Sequence, residues 1–347
     1  MSTIRSWIGG NGVFTTRSNW TPPGVPASGD TLWIPTGTVD ARRDSLSGLQ
    51  VNLAAAPVGA THAPASPPAP TLWFGNSVVS ANTTIELGNQ PPRGRESDAP
   101  HGTRAAIRTE GITLNLGTIA AEAAPGFSTM GDPTSLTITV GPAPATGTAR
   151  PQGDQVLVNG GTLAVRPGHG FARPSTLAVR GASPTAQLWN SGLIESGGTV
   201  RIDLAVLGDG RIAFSPPLSL STIGPRQGAG LTLDGPVGDG QIIDFRAADG
   251  SDSHGTLTLG DPGGFDGLIE NFTASTGNVG GLHRDRIALP GVNVSSVSYS
   301  GDGHGGVLAV RAGQATVAHL RFSGRHGSGS FIVLHPAEGG SAIELRA

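Results

Sequence analysis

Carboxylates are the side chains of this chain best suited to catalysis. Enzymes that cleave polysaccharides use Asp or Glu as acid, base or nucleophile, and carboxylates also bind catalytic metals. The candidates are Asp203, Asp209, Asp234, Asp239 and Asp244. Most of them stand beside Gly, where an Asp side chain bonds its own backbone and holds a turn, and this role is favoured over catalysis. Glu195 is a further candidate. Glu195 and Asp203, which flank a strand pattern, are the best catalytic candidates among these carboxylates.

Motifs with strict residue requirements are mostly absent from the sequence. The chain has no Lys and no Cys, so it has no P-loop, disulfide, thiolate metal site or Cys nucleophile. No G-x-S-x-G, H-E-x-x-H or EF-hand pattern occurs, and the nine His show no ligand spacing. Residues 301–306 fit G-x-G-x-x-G, but a strand pattern follows them instead of the helix that would bind pyrophosphate. We predict no catalytic residue, no metal site and no cofactor.

Four tryptophans lie in the first quarter of the chain: Trp7, Trp20, Trp33 and Trp73. Clustered Trp can form a platform on which sugars stack, so these four are the candidate carbohydrate-binding residues. Alternatively, they plug the open end of a repetitive core, where apolar side chains and strand edges need cover. The plug is the favoured interpretation, and a minor role in sugar binding stays open.

Composition excludes several function classes. The 347 residues include 55 Gly and 27 Pro, which favours short strands joined by turns over long helices. The net charge of −3 gives no basic field for nucleic acid. No run approaches the ~20 apolar residues of a membrane span, and residues 1–7 do not resemble a signal peptide. Export, if it occurs, is expected to use another signal.

Short segments of similar sequence, in which apolar and polar residues alternate, recur along the chain at intervals typical of solenoid coils. One such coil cannot bury its apolar side alone, but stacked coils share a core. We therefore predict an all-β chain that forms a right-handed parallel β-helix, with a strand and cap segment at 1–53, the solenoid at 54–280 and a C-terminal β module at 281–347. Pro-, Ala- and Gly-rich loops are predicted at 54–70, 89–106 and 141–153. The predicted strands include 83–87, 112–116, 136–140, 161–165, 175–179, 199–202, 231–233 and 256–259.

Several stretches resemble the large repetitive surface and secreted proteins of Alphaproteobacteria. Residues 190–200, NSGLIESGGTV, are similar to their "NSGTIE…GGT" coil, and 285–292, DRIALPGV, are similar to their "D.IDLPGV" segment. Residues 231–245 with 255–272, the opening SNWTPPGVPASGDTLWIP and the tail from Tyr299 to Ile343 also resemble them. The resemblance implies a β-helix that is carried out of the cell, in some relatives by a C-terminal signal to which 331–334 would contribute. The calcium-binding nonapeptide repeat of many exported relatives is absent.

These observations lead to a ranked set of functions. First is an extracellular structural protein of the bacterial surface or matrix, which associates with itself head to tail into fibres because incompletely covered solenoid ends can add coil to coil. Second is a carbohydrate-binding adhesin with a surface polysaccharide as partner, and third is a polysaccharide lyase or hydrolase. We expect a chain that binds no nucleic acid, does not span a membrane and is no enzyme.

Overall fold

A computed structural model of the chain describes residues 3–35, 37–42, 44, 46–53, 70–75, 77–87, 104–109, 111–122, 135–141, 155–166, 175–215, 229–246, 255–274, 285–337 and 339–346. Within these residues the chain forms a parallel β-helix of three sheets. Each coil except the first and the last contributes a strand to sheet A, then one to sheet B, then a strand or a single bridging residue to sheet C. The bridging residues are Leu46, Val237 and Phe265.

Sheet A has 14 strands and sheet B has 12. Sheet A consists of β1 (Ile4–Trp7), β3 (Trp20–Thr21), β4 (Thr31–Ile34), β6 (Gln50–Leu53), β9 (Thr84–Leu87), β12 (Thr118–Glu122), β15 (Thr162–Arg166), β18 (Leu193–Ser196), β21 (Arg211–Phe214), β23 (Ile242–Asp244), β25 (Leu268–Glu270), β27 (Ser296–Gly301), β28 (Gly305–Ala312) and β29 (Ala315–Ser323). Sheet B consists of β2 (Asn11–Val13), β5 (Thr38–Ala41), β7 (Thr71–Phe74), β10 (Arg104–Thr109), β13 (Ser135–Val140), β16 (Thr176–Gly181), β19 (Thr199–Ile202), β22 (Ala229–Leu233), β24 (Gly255–Leu259), β26 (Arg286–Leu289), β30 (Phe331–Leu334) and β31 (Ser341–Leu345).

Sheet C is the smallest sheet, with five strands. These are β8 (Ser77–Val79), β11 (Ile112–Asn115), β14 (Gln155–Asn159), β17 (Ala186–Asn190) and β20 (Ala205–Leu207). The helical content of the described residues is two short 3-10 turns, Arg17–Asn19 and Pro262–Gly264. Every longer gap between described residues, except 142–154, falls between a sheet A strand and the following sheet B strand. The turns from sheet C to sheet A are short.

Alternation along the strands places the core between the three sheets. In β4, for example, Leu32 and Ile34 are fully buried while Thr31 and Trp33 lie on the outer face. Parallel pairing then stacks equivalent residues, so that Leu32 lies beside Val51 of the next coil. Burial of this continuous apolar column supplies most of the driving force for folding.

A ladder of buried amides fills the corner between sheets C and A. Asn115 Nδ2 donates to Asn159 Oδ1 and Asn159 Nδ2 donates to Asn190 Oδ1, both over 2.8 Å. Asn190 Nδ2 then donates to Gln241 Oε1 over 2.9 Å. Gln241 also donates to the main-chain oxygens of Asn190 and Leu207, so its longer side chain spans the coil in which Gly208 stands at the ladder position. The amides bond to one another from coil to coil in an otherwise apolar interior, and Asn115 Oδ1, at the N-terminal end of the ladder, is the one ladder oxygen buried without a partner among the described residues.

Both ends of the β-helix carry antiparallel strands. At the N-terminal end β3 pairs with β1. At the C-terminal end β29 extends sheet A in parallel with β25, followed by the antiparallel strands β28 and β27, and the hairpin β30–β31 extends sheet B through β31. A stack of rings, Phe214, Phe245 and Phe272, leads along the core into this C-terminal part, with centroid distances of 4.7 and 5.0 Å.

The predicted parallel β-helix is confirmed, and its right hand stays a prediction. The eight predicted strands from 83–87 to 256–259 coincide with observed strands to within one or two residues, because inward and outward positions keep the same parity in every coil. The alternation predicted over 31–39 divides into β4 and the start of β5, and that over 49–53 corresponds to β6. Sheets A and B run without a break across residue 53, one of the predicted domain boundaries. Of the predicted loops 54–70, 89–106 and 141–153, nearly all residues lie outside the described part, and 104–106 belong to β10.

Candidate interaction surfaces

Trp7 and Trp20 close the N-terminal end of the core. Both are buried, and their rings pack edge to face with centroids 5.0 Å apart. Trp7 Nε1 donates to the Gly10 carbonyl over 2.9 Å, and Trp20 Nε1 donates to the Phe14 carbonyl over 2.8 Å. Phe14 packs on Trp20 in the same way. These two tryptophans form the predicted plug, and neither presents a ring face to a sugar.

Trp33 and Trp73 lie on the outer faces of two different sheets. Trp33 is half-buried in β4 of sheet A, and Trp73 is half-buried in β7 of sheet B. The Arg42 guanidinium lies 3.8 Å from the ring centroid of Trp73 and also pairs with Asp40 at 2.7 Å. The four predicted residues therefore form no single platform, and the prediction of sugar binding there now depends on Trp33 and on the uncovered part of Trp73.

Asp203 and Asp234 occupy equivalent places on neighbouring coils, directly after β19 and β22. Arg201 Nε lies 2.8 Å from a carboxylate oxygen of each, and Arg180 lies 3.7 Å from Asp203. Burial raises the pKa of Asp234, and a hydrogen bond with Asp203 raises it further. The two carboxylates thus share one guanidinium across coils instead of each holding its own turn, and the arrangement ties two coils together.

Glu195 and Asp244 lie in one outward row of sheet A, separated by Ala213. Ser215 donates to Glu195, while Asp244, which is buried, pairs with Arg211 and accepts from Asn271 Nδ2 over 2.7 Å. Its second role is the one predicted for Asp beside a turn, since Asp244 Oδ1 also accepts from the Arg246 amide over 2.9 Å. These bonds hold both carboxylates in place.

Asp209 and Asp239 are exposed residues in turns. Across the described part of the chain, no three His, Asp or Glu side chains come together in an arrangement that could hold a metal ion. None of the helical segments described is long and apolar enough to cross a membrane. The described carboxylates therefore form ion pairs or hydrogen bonds, or lie in turns. The candidate surfaces for a partner are the outer faces and the edges of the sheets.

Sheet C presents an uncharged, apolar outer face, which the sequence analysis did not identify. Parallel register aligns one outward row and part of a second across its strands. Trp189 is 47% exposed in the first row, and Ile112 in the second row is 55% exposed. The outward apolar residues are Val78, Ile112, Leu114, Leu116, Val156, Val158, Trp189, Ala205 and Leu207.

The signal for this face was present in the sequence. The segments of β14 and β20, QVLVN and AVL, have apolar residues at both parities, and Trp189 stands in AQLWN, the corresponding segment of β17. An apolar residue on both faces of a strand indicates cover on both faces or an exposed apolar patch. The recurring Asn at the end of β11, β14 and β17 likewise marks the ladder.

Sheet B ends in an open edge on both sides. At the N-terminal end, β2 pairs with β5, and no described strand lies on its other side. On that side the Val13 carbonyl accepts from the Thr16 amide over 3.1 Å and from Asn19 Nδ2 over 3.2 Å, which leaves the Val13 amide as the group open to a further strand. Val13 in β2 is 49% exposed, and Ile8 nearby is 62% exposed. At the C-terminal end, the outer edge of β30 is likewise unpaired among the described strands, and Ile332, Val333 and Leu334 are half-buried.

No family model and no curated protein matches the chain.

Proposed function

We propose that this chain is a structural protein of a bacterial surface or matrix that joins copies of itself head to tail into fibres. The observation that carries the proposal is the direction of the two terminal strands of sheet B. β31 is antiparallel to β26, and β30 is antiparallel to β31, so β30 runs in the same direction as β26. All the coil strands of sheet B, from β2 onward, share that direction.

A second copy placed at the C-terminal end would therefore bring its β2 to β30 as one more parallel strand. Strand addition of this kind satisfies edge amides and carbonyls that water otherwise solvates. Because β30 and β2 are different surfaces, the contact is heterologous and does not close, so it propagates along the axis. Apolar side chains at both edges, Val13 and Ile332 to Leu334, add burial to the backbone bonds.

Sheet A is less suited to the same contact. Its N-terminal edge strand, β3, has two residues and is followed directly by Pro22 and Pro23, which have no amide hydrogen to donate. β3 also runs antiparallel to β1, so it would not continue the parallel register. The joint is therefore expected to form through sheet B, with sheet A closed by its terminal strands.

The location outside the cell rests on the sequence. The wording of 190–200 and 285–292 resembles exported alphaproteobacterial proteins, and the absence of Cys and Lys suits a surface role without chemistry of its own. The paired carboxylates are consistent with this role, since Asp203, Asp234 and Asp244 make ion pairs between coils, with Arg180, Arg201 and Arg211 respectively. A fibre built from such units needs rigid, regularly spaced subunits, which a solenoid provides.

Two substitutions, one at each edge, test the joint. On either side of β2, the Phe14 amide donates to the Asp40 carbonyl and the Gly10 carbonyl accepts from the Thr38 amide. Because main-chain groups alternate in direction along a strand, the amide of Val13 faces the open edge. Just before β30, the Ser330 carbonyl accepts from the Arg346 amide, so Ser330, Ile332 and Leu334 direct their main-chain groups to β31. The amide of Val333, between the last two, therefore faces the open edge. Val13→Pro and Val333→Pro each remove one edge donor without removing a ladder bond within the molecule.

Wild-type protein is expected to form filaments in negative-stain electron microscopy as its concentration rises, and each variant alone is expected to form no filaments. A mixture of the two variants is expected to form dimers that do not extend, because each partner retains one intact edge. Val13→Thr and Val333→Thr, which keep a β-branched residue and the amide, are the matched controls and should polymerise. Monomeric wild-type protein at every concentration, or a mixture that stays monomeric, would overturn the proposal.

A further inference from the structure

The outer face of sheet C differs in chemistry from the other two outer faces. None of its five strands contains a charged residue. Sheet A, by contrast, carries Arg211, Glu195 and Glu270 outward, and sheet B carries Arg180 and Arg201. The apolar character is thus a property of this one face.

The row through Trp189 is continuous. Val78, Leu114, Val158, Trp189 and Leu207 lie on successive strands in direct register. Adjacent strands are about 4.8 Å apart, so the sheet of five strands is roughly 24 Å across. Each strand is about 13 Å long, at about 3.3 Å per residue. The result is a flat apolar surface of roughly 300 Å², which is at the scale of functional patches on soluble proteins.

The chemistry of the face favours a protein partner over a sugar. A polysaccharide needs donors and acceptors for its hydroxyl groups beside any ring that it stacks on. In the strands of sheet C, Gln187 is the one outward polar side chain of the aligned rows, and most of the remaining surface is aliphatic. A charged partner has no counter-charge here, whereas another uncharged sheet face buries without loss of ion hydration.

We propose that this face is the contact for a second copy of the same chain, with sheet C packed on sheet C. Two such faces are self-complementary in charge because neither has any, and a two-fold axis lets the same patch serve both partners. Face-to-face sheets pack about 10 Å apart with interdigitated side chains, and Trp189 is the largest side chain available to fill that layer.

The area predicts that this contact is weak between isolated molecules. A stable interface buries about 800 Å² per partner, well above the patch. In a head-to-tail fibre every subunit repeats the patch, so weak contacts add along two aligned fibres and hold them side by side. The bundling of fibres rests on the proposed function, whereas pairing of single molecules does not.

The pairing is tested in the Val13→Pro variant, which cannot extend and so separates this contact from the head-to-tail joint. Sedimentation equilibrium of this parent is expected to show an average mass that rises toward the dimer with concentration. Acrylamide quenching of Trp189, taken as the difference in tryptophan fluorescence between this parent and its Trp189→Leu variant because the chain has five Trp, should fall in parallel. Adding Trp189→Glu should raise the concentration needed for dimers at least tenfold. Val158→Glu, in the same row, is a second variant in case the first does not fold.

Trp189→Leu, which stays apolar, and Thr258→Glu, which places the same charge on the outer face of sheet B, are the controls and should pair like the parent. The proposal fails if the parent stays monomeric at the highest concentration, or if both Glu variants of sheet C pair as well as the parent. It also fails if the parent binds neutral polysaccharide beads and loses that binding on Trp189→Glu without pairing, since the face would then be a glycan site. Fibres of the wild-type sequence should form bundles, and fibres that carry Trp189→Glu alone should stay single filaments.

Discussion

At the scale of single residues, the buried amides set how strictly neighbouring coils are matched. Asn159 lies in the middle of the ladder, with no exposed surface, and both donates and accepts through its side chain. It also donates to the Leu193 carbonyl over 3.2 Å. Each bond crosses from one coil to the next, so a coil that slipped by one residue would leave several buried polar groups without partners.

Asn159→Ala is expected to lower the free energy of unfolding by about 2–5 kcal/mol. The change leaves the Asn115 amide and the Asn190 oxygen buried without their ladder partners, and each such group costs about 1–3 kcal/mol. Urea unfolding followed by circular dichroism measures it. Gln187→Ala, on the exposed face of sheet C, is the control and should change stability by less than about 0.5 kcal/mol.

The acidic pair on sheet B gives stability that depends on pH. Burial raises the pKa of Asp234 above its ordinary 3.8, and the bond with Asp203 adds to this. A carboxyl whose pKa is raised by folding stabilises the fold below the unfolded pKa, and that contribution is lost as pH rises through the folded pKa. The ionised form of Asp234 is therefore the less favourable one in the folded chain.

Asp234→Asn keeps a polar side chain of the same size and removes the ionisation. The melting temperature of this variant, relative to wild type, is expected to rise as pH increases from about 3 to 7, partly offset by the lost pair with Arg201, which contributes less than about 1 kcal/mol at the surface. Differential scanning calorimetry across that range measures the difference. A difference that stays flat or decreases with pH would contradict the assigned direction.

At the scale of elements, a cluster of aromatic rings holds the C-terminal strands together. His326 lies among Phe322, Phe331 and Tyr299, with ring centroids 5.4–5.8 Å away, between the parts that extend sheets A and B. Burial lowers the pKa of His326 below its ordinary 6.5, although the Ser323 carbonyl partly opposes the shift. The neutral ring is thus the form that packs in this aromatic cluster.

Acidification is expected to loosen the C-terminal strands. Because the pKa of His326 is lower in the folded chain, the unfolded chain takes up the proton first, and stability falls as pH drops below about 6.5. His326→Phe, which keeps the ring contacts, should flatten the dependence of hydrogen exchange in β30 and β31 between pH 7.5 and 5.5, once the intrinsic exchange rate is corrected. An unchanged pH dependence in the variant would show that another group governs it.

At the scale of the whole molecule, alternation in the sequence predicted the stack of coils because parallel pairing repeats one rule at each turn. The strands 136–140 and 256–259, for example, were predicted nearly to the residue. The solenoid ends were predicted as the joint, but the strands that form their edges and the outward row of sheet C were not, since both depend on a register that aligns distant segments such as 112–115 and 186–190. The plug was predicted for all four N-terminal tryptophans and is correct for Trp7 and Trp20, whereas Trp33 and Trp73 lie on outer faces. Trp189 was overlooked although its segment has apolar residues on both faces.

A solenoid whose coils contact only their neighbours should tolerate removal of one whole coil. Leu193 pairs with Arg211, so deleting 193–210 brings Arg211 to the place that Leu193 held and preserves the order of sheets A, B and C. The shortened chain is expected to fold with lower stability, since Gln241 loses the Leu207 carbonyl and its long side chain no longer spans an intervening coil to reach Asn190, and to be about 5 Å shorter by small-angle scattering. Deleting 193–201 is the matched control. It removes part of a coil, assigns sheet A sequences to sheet B positions and should prevent cooperative folding, so equal folding of both deletions would refute register as the principle that holds the molecule together.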